Sequence, residues 1–131
     1  MIKTLTLQTE DEQFYDITQK VEEAVRESGI QEGICILFCP HTTAAITINE
    51  NADADVTKDI LLGLRKAFPS RTEFRHMEGN SDAHLKASCI GTSETLVVKK
   101  GRLLLGTWQG VYFCEFDGPR QRTYYVKVMQ G

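Results

Sequence analysis

Three histidines stand in polar, motif-like segments: His41 in PHTTA, His76 in RHMEGNSD and His84 in DAHLKAS. None lies in a plain amphipathic run. Three imidazoles are one way to hold a catalytic zinc while leaving a coordination position open for water or substrate. No local pattern such as H-E-x-x-H ties them together, so the fold must bring them into contact, and separate hydrogen-bonded histidines are the alternative. Four carboxylates accompany them. Glu50, Asp53, Asp82 and Glu115 could orient metal-bound imidazoles, or one could act as a general base if burial raised its pKa. Capping and dipole neutralisation at a helix N-terminus explains Asn51 and accounts equally well for Glu50 and Asp53. Glu115 interrupts the apolar run VYFCEF and by strand alternation must face either solvent or a polar pocket.

Asn80, Asp82, Trp108, Gln109, Glu115 and Arg120 all stand close to glycines, which let a backbone turn tightly or approach a ligand. Trp108 and Gln109, between Gly106 and Gly110, offer an aromatic wall and an amide contact, although a core tryptophan beside a glycine-rich bend is equally ordinary. Arg120 and Arg122 offer a bidentate grip on phosphate, against the alternative of solvent-facing ion pairs. No G-x-G-x-x-G, Walker A or G-x-S-x-G pattern is present, so dinucleotide binding, P-loop chemistry and hydrolase-elbow catalysis lose their usual support. What remains is a polar, histidine-containing pocket suited to a small anionic or phosphorylated metabolite.

The elements that must position these groups follow from local patterns. Residues 2 to 8, IKTLTLQ, read as a strand that the acidic TEDEQ ends. Asp16 is an N-cap with Gln19 able to return the bond, and Ile17, Val21, Ala24 and Val25 define an amphipathic helix over about 17 to 28, stopped by Gly29. Its other face, with Lys20, Glu22, Glu23, Arg26 and Glu27, reads as solvated. GICILFCP from Gly33 to Pro40 is an unbroken apolar run, read as a strand buried on both faces. A second strand runs to about Ile48 and delivers Asn49, Glu50, Asn51 and Asp53 to a helix with Val56, Ile60, Leu64 and Ala67 on one face, ended before Pro69.

Residues 70 to 82 read as a loop carrying His76 and Asn80, followed by a short helix capped by Ser81 or Asp82, with His84 in its first turn and Gly91 at its end. SETLVVK, RLLLGTW, VYFCEF and TYYVKVM then read as an antiparallel meander with turns at Lys100-Gly101, Gly110 and Gly118-Pro119. The fold class is α+β: an antiparallel sheet or meander covered by two longer helices and one short one, in a single domain spanning residues 1 to 131.

Composition sets outer limits. With 131 residues and a formal charge of -3, the chain suits one globular domain and lacks the basic face that nucleic-acid binding needs. Cys35, Cys39, Cys89 and Cys114 form no C-x-x-C pair and read as structural thiols. The N-terminus MIKTLTLQTEDEQ has no signal-peptide layout, and no apolar run is long enough to span a bilayer, so a cytoplasmic protein without membrane partners is expected.

Several of these motifs together closely resemble the YjbQ family, otherwise described as uncharacterised and also labelled secondary thiamine-phosphate synthase. The most specific match is Ser93, Leu96, Val98, Gly101, Gly106-Thr107-Trp108-Gln109 and Val111 at the family's spacing. His41-Thr42-Thr43-Ala44, Asn49-Glu50-Asn51 with Asp53, and Glu78-Gly79-Asn80-Ser81-Asp82 leading to His84 are further matches, so the resemblance covers nearly the whole chain. It implies a compact α+β domain assembled as a homotrimer, with the motif residues gathered near a subunit boundary. It also implies a metal site on His41, His76 and His84, zinc by the donor types. The expected activity is formation of thiamine phosphate from a hydroxymethylpyrimidine diphosphate and a thiazole phosphate, as a secondary activity of a transferase whose main substrate is a small phosphorylated metabolite. In this reading His84, Asp53 and Glu50 are catalytic, and Asn80, Asp82, Trp108, Gln109, Glu115 and Arg120 contact substrate. The rival is a non-catalytic metabolite- or metal-binding protein.

Overall fold

The computed structural model describes residues 2–131. Eight strands and three helices follow in the order β1 (Ile2–Gln8), β2 (Gln13–Asp16), α1 (Thr18–Ser28), β3 (Glu32–Phe38), β4 (Ala44–Glu50), α2 (Ala54–Ala67), α3 (Ser81–Ile90), β5 (Ser93–Lys99), β6 (Arg102–Leu103), β7 (Gln109–Glu115) and β8 (Gln121–Gln130). The α+β class holds, with every strand pairing antiparallel. The strands divide between two sheets, ordered β1-β8-β3-β5-β6 and β2-β7-β4. Only β5 and β6 pair as neighbours in sequence, so the continuous meander expected over the last third is broken: β7 leaves for the second sheet and β8 returns to the first, between β1 and β3. Alternation within a strand specifies its faces but not its partner, which is why the sequence did not reveal the switch.

The main core lies between the two sheets and under α1. Val21 and Val25 of α1, Cys35 and Leu37 of β3, Ile46 of β4, Phe113 of β7, and Tyr124 and Val126 of β8 meet there. On the far face of the smaller sheet, α2 and α3 pack Leu61, Ala83 and Ala87 against Phe14, Ala45, Tyr112, Cys114 and Phe116. The smaller sheet is thus the one covered on both faces, which explains the unbroken run VYFCEF. β3 is covered on one face only: Cys35 and Leu37 are buried, whereas Ile34 and Phe38 are exposed on the outer face. The expectation that GICILFCP is buried on both sides is corrected accordingly.

Helix ends also shift slightly. The residue flanking α1 is Ile17, yet Asp16 Oδ1 still accepts from the Thr18 N–H at 2.9 Å, so the expected acid secures the helix from one residue further out. Glu22, read as solvated, is buried and accepts from the Leu103 N–H, tying α1 to β6. The acidic stretch after β1 leads straight into β2, a four-residue strand that the sequence reading passed over. Among the described residues no helix is long and apolar enough to cross a membrane.

Candidate functional site

His41 follows Pro40 between β3 and β4, His76 lies in the loop between α2 and α3, and His84 sits in the first turn of α3. These separate segments line one cleft of about 400 Å³, together with Asn80, Glu78, Asp117, Arg120 and Arg122. A turn closed by the Gly79 N–H on His76 O, at 3.1 Å, delivers His76 to the cleft. Asn80 is the residue flanking α3, where Ser81 or Asp82 was expected; its side chain does not cap the helix but donates from Nδ2 to Asp117 Oδ2 at 2.7 Å. Asn80 Oδ1 is buried without a hydrogen-bond partner, an acceptor that a ligand donor or cation would satisfy.

The rings of His76 and His84 stand edge to face with centroids 5.3 Å apart. His41 differs from both. Its Nε2 accepts the Thr123 backbone N–H at 2.9 Å, and a neutral imidazole whose one lone pair is so used carries its proton on Nδ1. Burial, then the nearby Arg122 charge, lowers its pKa and holds it neutral. A metal-bound histidine shows the reverse pattern, with the lone pair on the metal and the other nitrogen donating to an acceptor. Among the described residues no three His, Cys, Asp or Glu groups are arranged to hold a metal ion. The cleft therefore gathers the three histidines without presenting three convergent lone pairs, and His76 and His84 are the two that could serve as ligands to a divalent cation.

Beneath the cleft lies a buried ionic network. Glu115 is fully buried and receives Arg122 Nε at 2.8 Å, Arg122 Nη2, the Thr9 hydroxyl at 2.6 Å and the Asp117 N–H at 3.0 Å. Burial alone would raise its pKa; the hydrogen bonds from Arg122, Thr9 and Asp117 outweigh that and hold the carboxyl below its usual range. Arg122 also donates from Nη2 to Thr43 Oγ1 at 2.9 Å, so it is a buried guanidinium at the cleft and not the solvent-facing ion pair of the plainer sequence reading. Arg120 is half-exposed and holds Asp117 through Nε on its carbonyl, 2.8 Å, and Nη2 on Oδ2, 3.0 Å. Gly118 is required here because a Cβ would meet Glu10 O at 1.9 Å, and that close approach sets the loop carrying Arg120 against the end of β1.

The remaining expected site residues lie elsewhere. β4 and β7 pair Ala44 with Glu115 at one end and Glu50 with Gln109 at the other. Six steps of extended chain separate these ends by about 20 Å. At the far end, Asp53 caps α2 by accepting the Asp55 N–H at 2.9 Å, Glu50 O accepts from the Tyr112 hydroxyl at 3.0 Å, and Gln109 Oε1 accepts from the Gly106 N–H at 2.8 Å. Asn51 donates its backbone N–H to Trp108 O at 2.9 Å, and Gly110 makes room for it, since a Cβ there would meet Asn51 Nδ2 at 2.3 Å. Trp108 is 62% exposed and forms no wall of the cleft. Asp82 is in the first turn of α3, with Oδ2 3.9 Å from Lys86 Nζ, and also lies outside the cleft lining. Within one chain, Glu50 and Asp53 thus do not reach the histidines.

Sequence reasoning missed Asp117 and Glu78, which line the cleft, and Thr9 and Thr43, which complete its floor. Thr43 was within the matched His41-Thr42-Thr43-Ala44 segment and Glu78 opened the matched Glu78-Gly79-Asn80-Ser81-Asp82 segment; Asp117 and Thr9 carried no motif. All four cysteines are unpaired, with Cys35, Cys39 and Cys114 buried. Burial raises the Cys35 thiol to about 11 and Cys114 well above its ordinary value, so neither is a ready nucleophile.

The comparisons agree with this architecture. A family model described as UPF0047 protein YjbQ-like matches residues 3–131. The UPF0047 protein YugU of Bacillus subtilis (strain 168) is 54% identical, covering 98% of this chain and 99% of that protein. A crystal structure from Clostridium acetobutylicum, of an uncharacterised conserved protein of the same family, superposes with a TM-score of 0.95 at 55% identity, covering 97% of this chain and 99% of that one. A YbjQ-like protein of unknown function from Sulfolobus solfataricus reaches the same TM-score of 0.95 at 33% identity, covering 100% and 97% of the two chains. On its sequence, its fold and the extent of these matches, the chain belongs to the YjbQ-like UPF0047 family.

Proposed function

We propose that the protein is a metal-assisted enzyme acting on a small phosphorylated metabolite in the histidine cleft, with thiamine-phosphate synthase activity as a secondary transferase reaction. The observation that carries this reading is the convergence of His41, His76 and His84 with Arg120 and Arg122 around one cleft, from segments far apart in the chain. Dispersed surface histidines would have left the chemistry without a site. A divalent ion, zinc by the preference of imidazole donors, would rest on His76 and His84, and when bound it supplies positive charge to a phosphoryl oxygen. Arg120 and Arg122, which line the cleft, would stabilise a departing pyrophosphate. Asn80 Oδ1 would accept a hydrogen bond from the metabolite.

Measuring metal content and thiamine-phosphate formation for the parent and His84→Ala tests this. Loss of both together is expected, by at least tenfold in turnover; trace turnover unchanged while metal is lost would refute the enzyme reading. One observation favours the second reading, a non-catalytic metabolite- or metal-binding protein: Glu50 and Asp53, the acids that were to handle protons, sit at the other end of the sheet.

The assembly proposed is a homotrimer. The outer face of the larger sheet supports it, since Ile2, Ile34, Phe38, Val97 and Met129 expose apolar surface that a monomer seldom leaves uncovered. A cytoplasmic location fits four unpaired thiols.

A further inference from the structure

We infer that His41 is a hydrogen-bond donor to an anion and not a metal ligand: its Nδ1–H, with the unused ends of Arg120 and Arg122, forms a phosphate subsite beside the His76 and His84 pair. This deepens the reading of the cleft as the site for a phosphorylated metabolite and rests on it. His41 lines the cleft, and its Nε2 is bound to the Thr123 backbone N–H at 2.9 Å, so Nδ1 is the nitrogen left for a ligand. A backbone amide cannot lose its proton or turn away without disturbing the start of β8, which makes this tautomer a property of the fold.

The two arginines repeat the pattern. Arg122 spends Nε and Nη2 on Glu115 and Thr43, and Arg120 spends Nε and Nη2 on Asp117, which leaves Nη1 of each unspent on two residues that line the cleft. The charges of Glu115 and Asp117 balance those of the arginines, so this subsite selects by directed N–H groups more than by net charge. Three such donors around one cleft match the several acceptor oxygens of a phosphoryl group, and they offer nothing to a cation. The acceptor-bearing groups, His76, His84, the Glu78 carboxylate and Asn80 Oδ1, belong to the same cleft and give a cation or a ligand donor its place.

The test is long-range nitrogen–proton NMR of the full chain labelled with ¹⁵N-histidine, titrated separately with inorganic phosphate and with zinc. The expected result is a protonated Nδ1 and an acceptor Nε2 for His41, with phosphate moving the Nδ1–H signal and zinc moving only the signals of His76 and His84. His41→Gln, which can still accept from the Thr123 N–H, should weaken phosphate binding about tenfold and leave zinc affinity unchanged. A zinc-dependent conversion of His41 Nδ1 to the unprotonated, metal-bound form would overturn the inference, as would phosphate saturation that leaves His41 unmoved. Should zinc move no histidine while phosphate still moves His41, the subsite stands and it is the metal in the proposed function that fails.

Discussion

The Glu115 carboxylate accepts both Nε and Nη2 of Arg122 in a position closed to solvent, and this pair holds the guanidinium near enough to His41 to add to burial in lowering its pKa. Breaking one side of such a pair strands the other charge in the interior. Glu115→Gln should therefore cost about 3–5 kcal/mol of unfolding free energy near neutral pH, read by urea denaturation. Because the native carboxyl titrates below its ordinary value of 4.5, its stabilisation is complete above that value and is lost as pH falls through the depressed one. The gap between parent and variant should narrow in acid; a gap that stays constant below pH 4.5 would show that the pair's charge is not what stabilises it.

His41 gives a second pH dependence of the same sign. Adding a proton to the ring places it on Nε2, against the Thr123 N–H that Nε2 now accepts. Burial and Arg122 lower the folded-state pKa from 6.5, so the native state keeps this stabilisation above 6.5 and loses it as pH falls through the lowered value. The Thr123 amide resonance should titrate with a midpoint below 6.5; a midpoint above it would contradict the tautomer assignment.

At the opposite end of the smaller sheet, Asp53 is a helix cap. Asp53→Ala should cost about 1 kcal/mol, the usual loss for an acidic N-cap, and leave inorganic phosphate affinity within twofold of the parent. Calorimetry decides the matter, since loss of phosphate binding in this variant would tie the far cluster to the cleft.

The outer sheet face makes a prediction about assembly. Val97 is 51% exposed on β5, and replacing it with lysine adds a charge where an apolar partner surface is proposed. Val97→Lys should sediment as a monomer with the far-ultraviolet spectrum of the parent, which itself sediments as a trimer. A monomeric parent would remove the proposed assembly.

Much of the fold was readable because periodicity and caps are local. Val21, Ala24 and Val25 marked α1, Gly29 and Gly91 marked helix ends, and the loop carrying His76 fell where no period was visible. What escaped was set by distant partners. GICILF and VYFCEF look alike as apolar runs, yet only the second has helices on its outer side, and nothing within either run says so. The candidate site divides in the same way. Types and flanking motifs singled out the three histidines and Arg120, and these share the cleft. Glu50, Asp53, Trp108 and Gln109 share the same motifs but sit a strand's length away, because β4 and β7 run antiparallel and carry their two ends to opposite sides. Glu115 and Arg122 face inward, as alternation allowed, and are only seven residues apart, but their ion pair joins β7 and β8 of different sheets, a switch that no local period marks.

The central claim is that chemistry belongs to the end of the sheet where His41, His76 and His84 meet Arg120 and Arg122. Crystals of the parent soaked with zinc and phosphate, with diffraction recorded at the zinc edge, test it most directly. The account predicts one anomalous peak at about 2.0–2.1 Å from a nitrogen of both His76 and His84, with phosphate density against His41, Arg120 and Arg122. A peak held by Glu50 and Asp53, or phosphate bound beside Trp108 with none in the cleft, would contradict it.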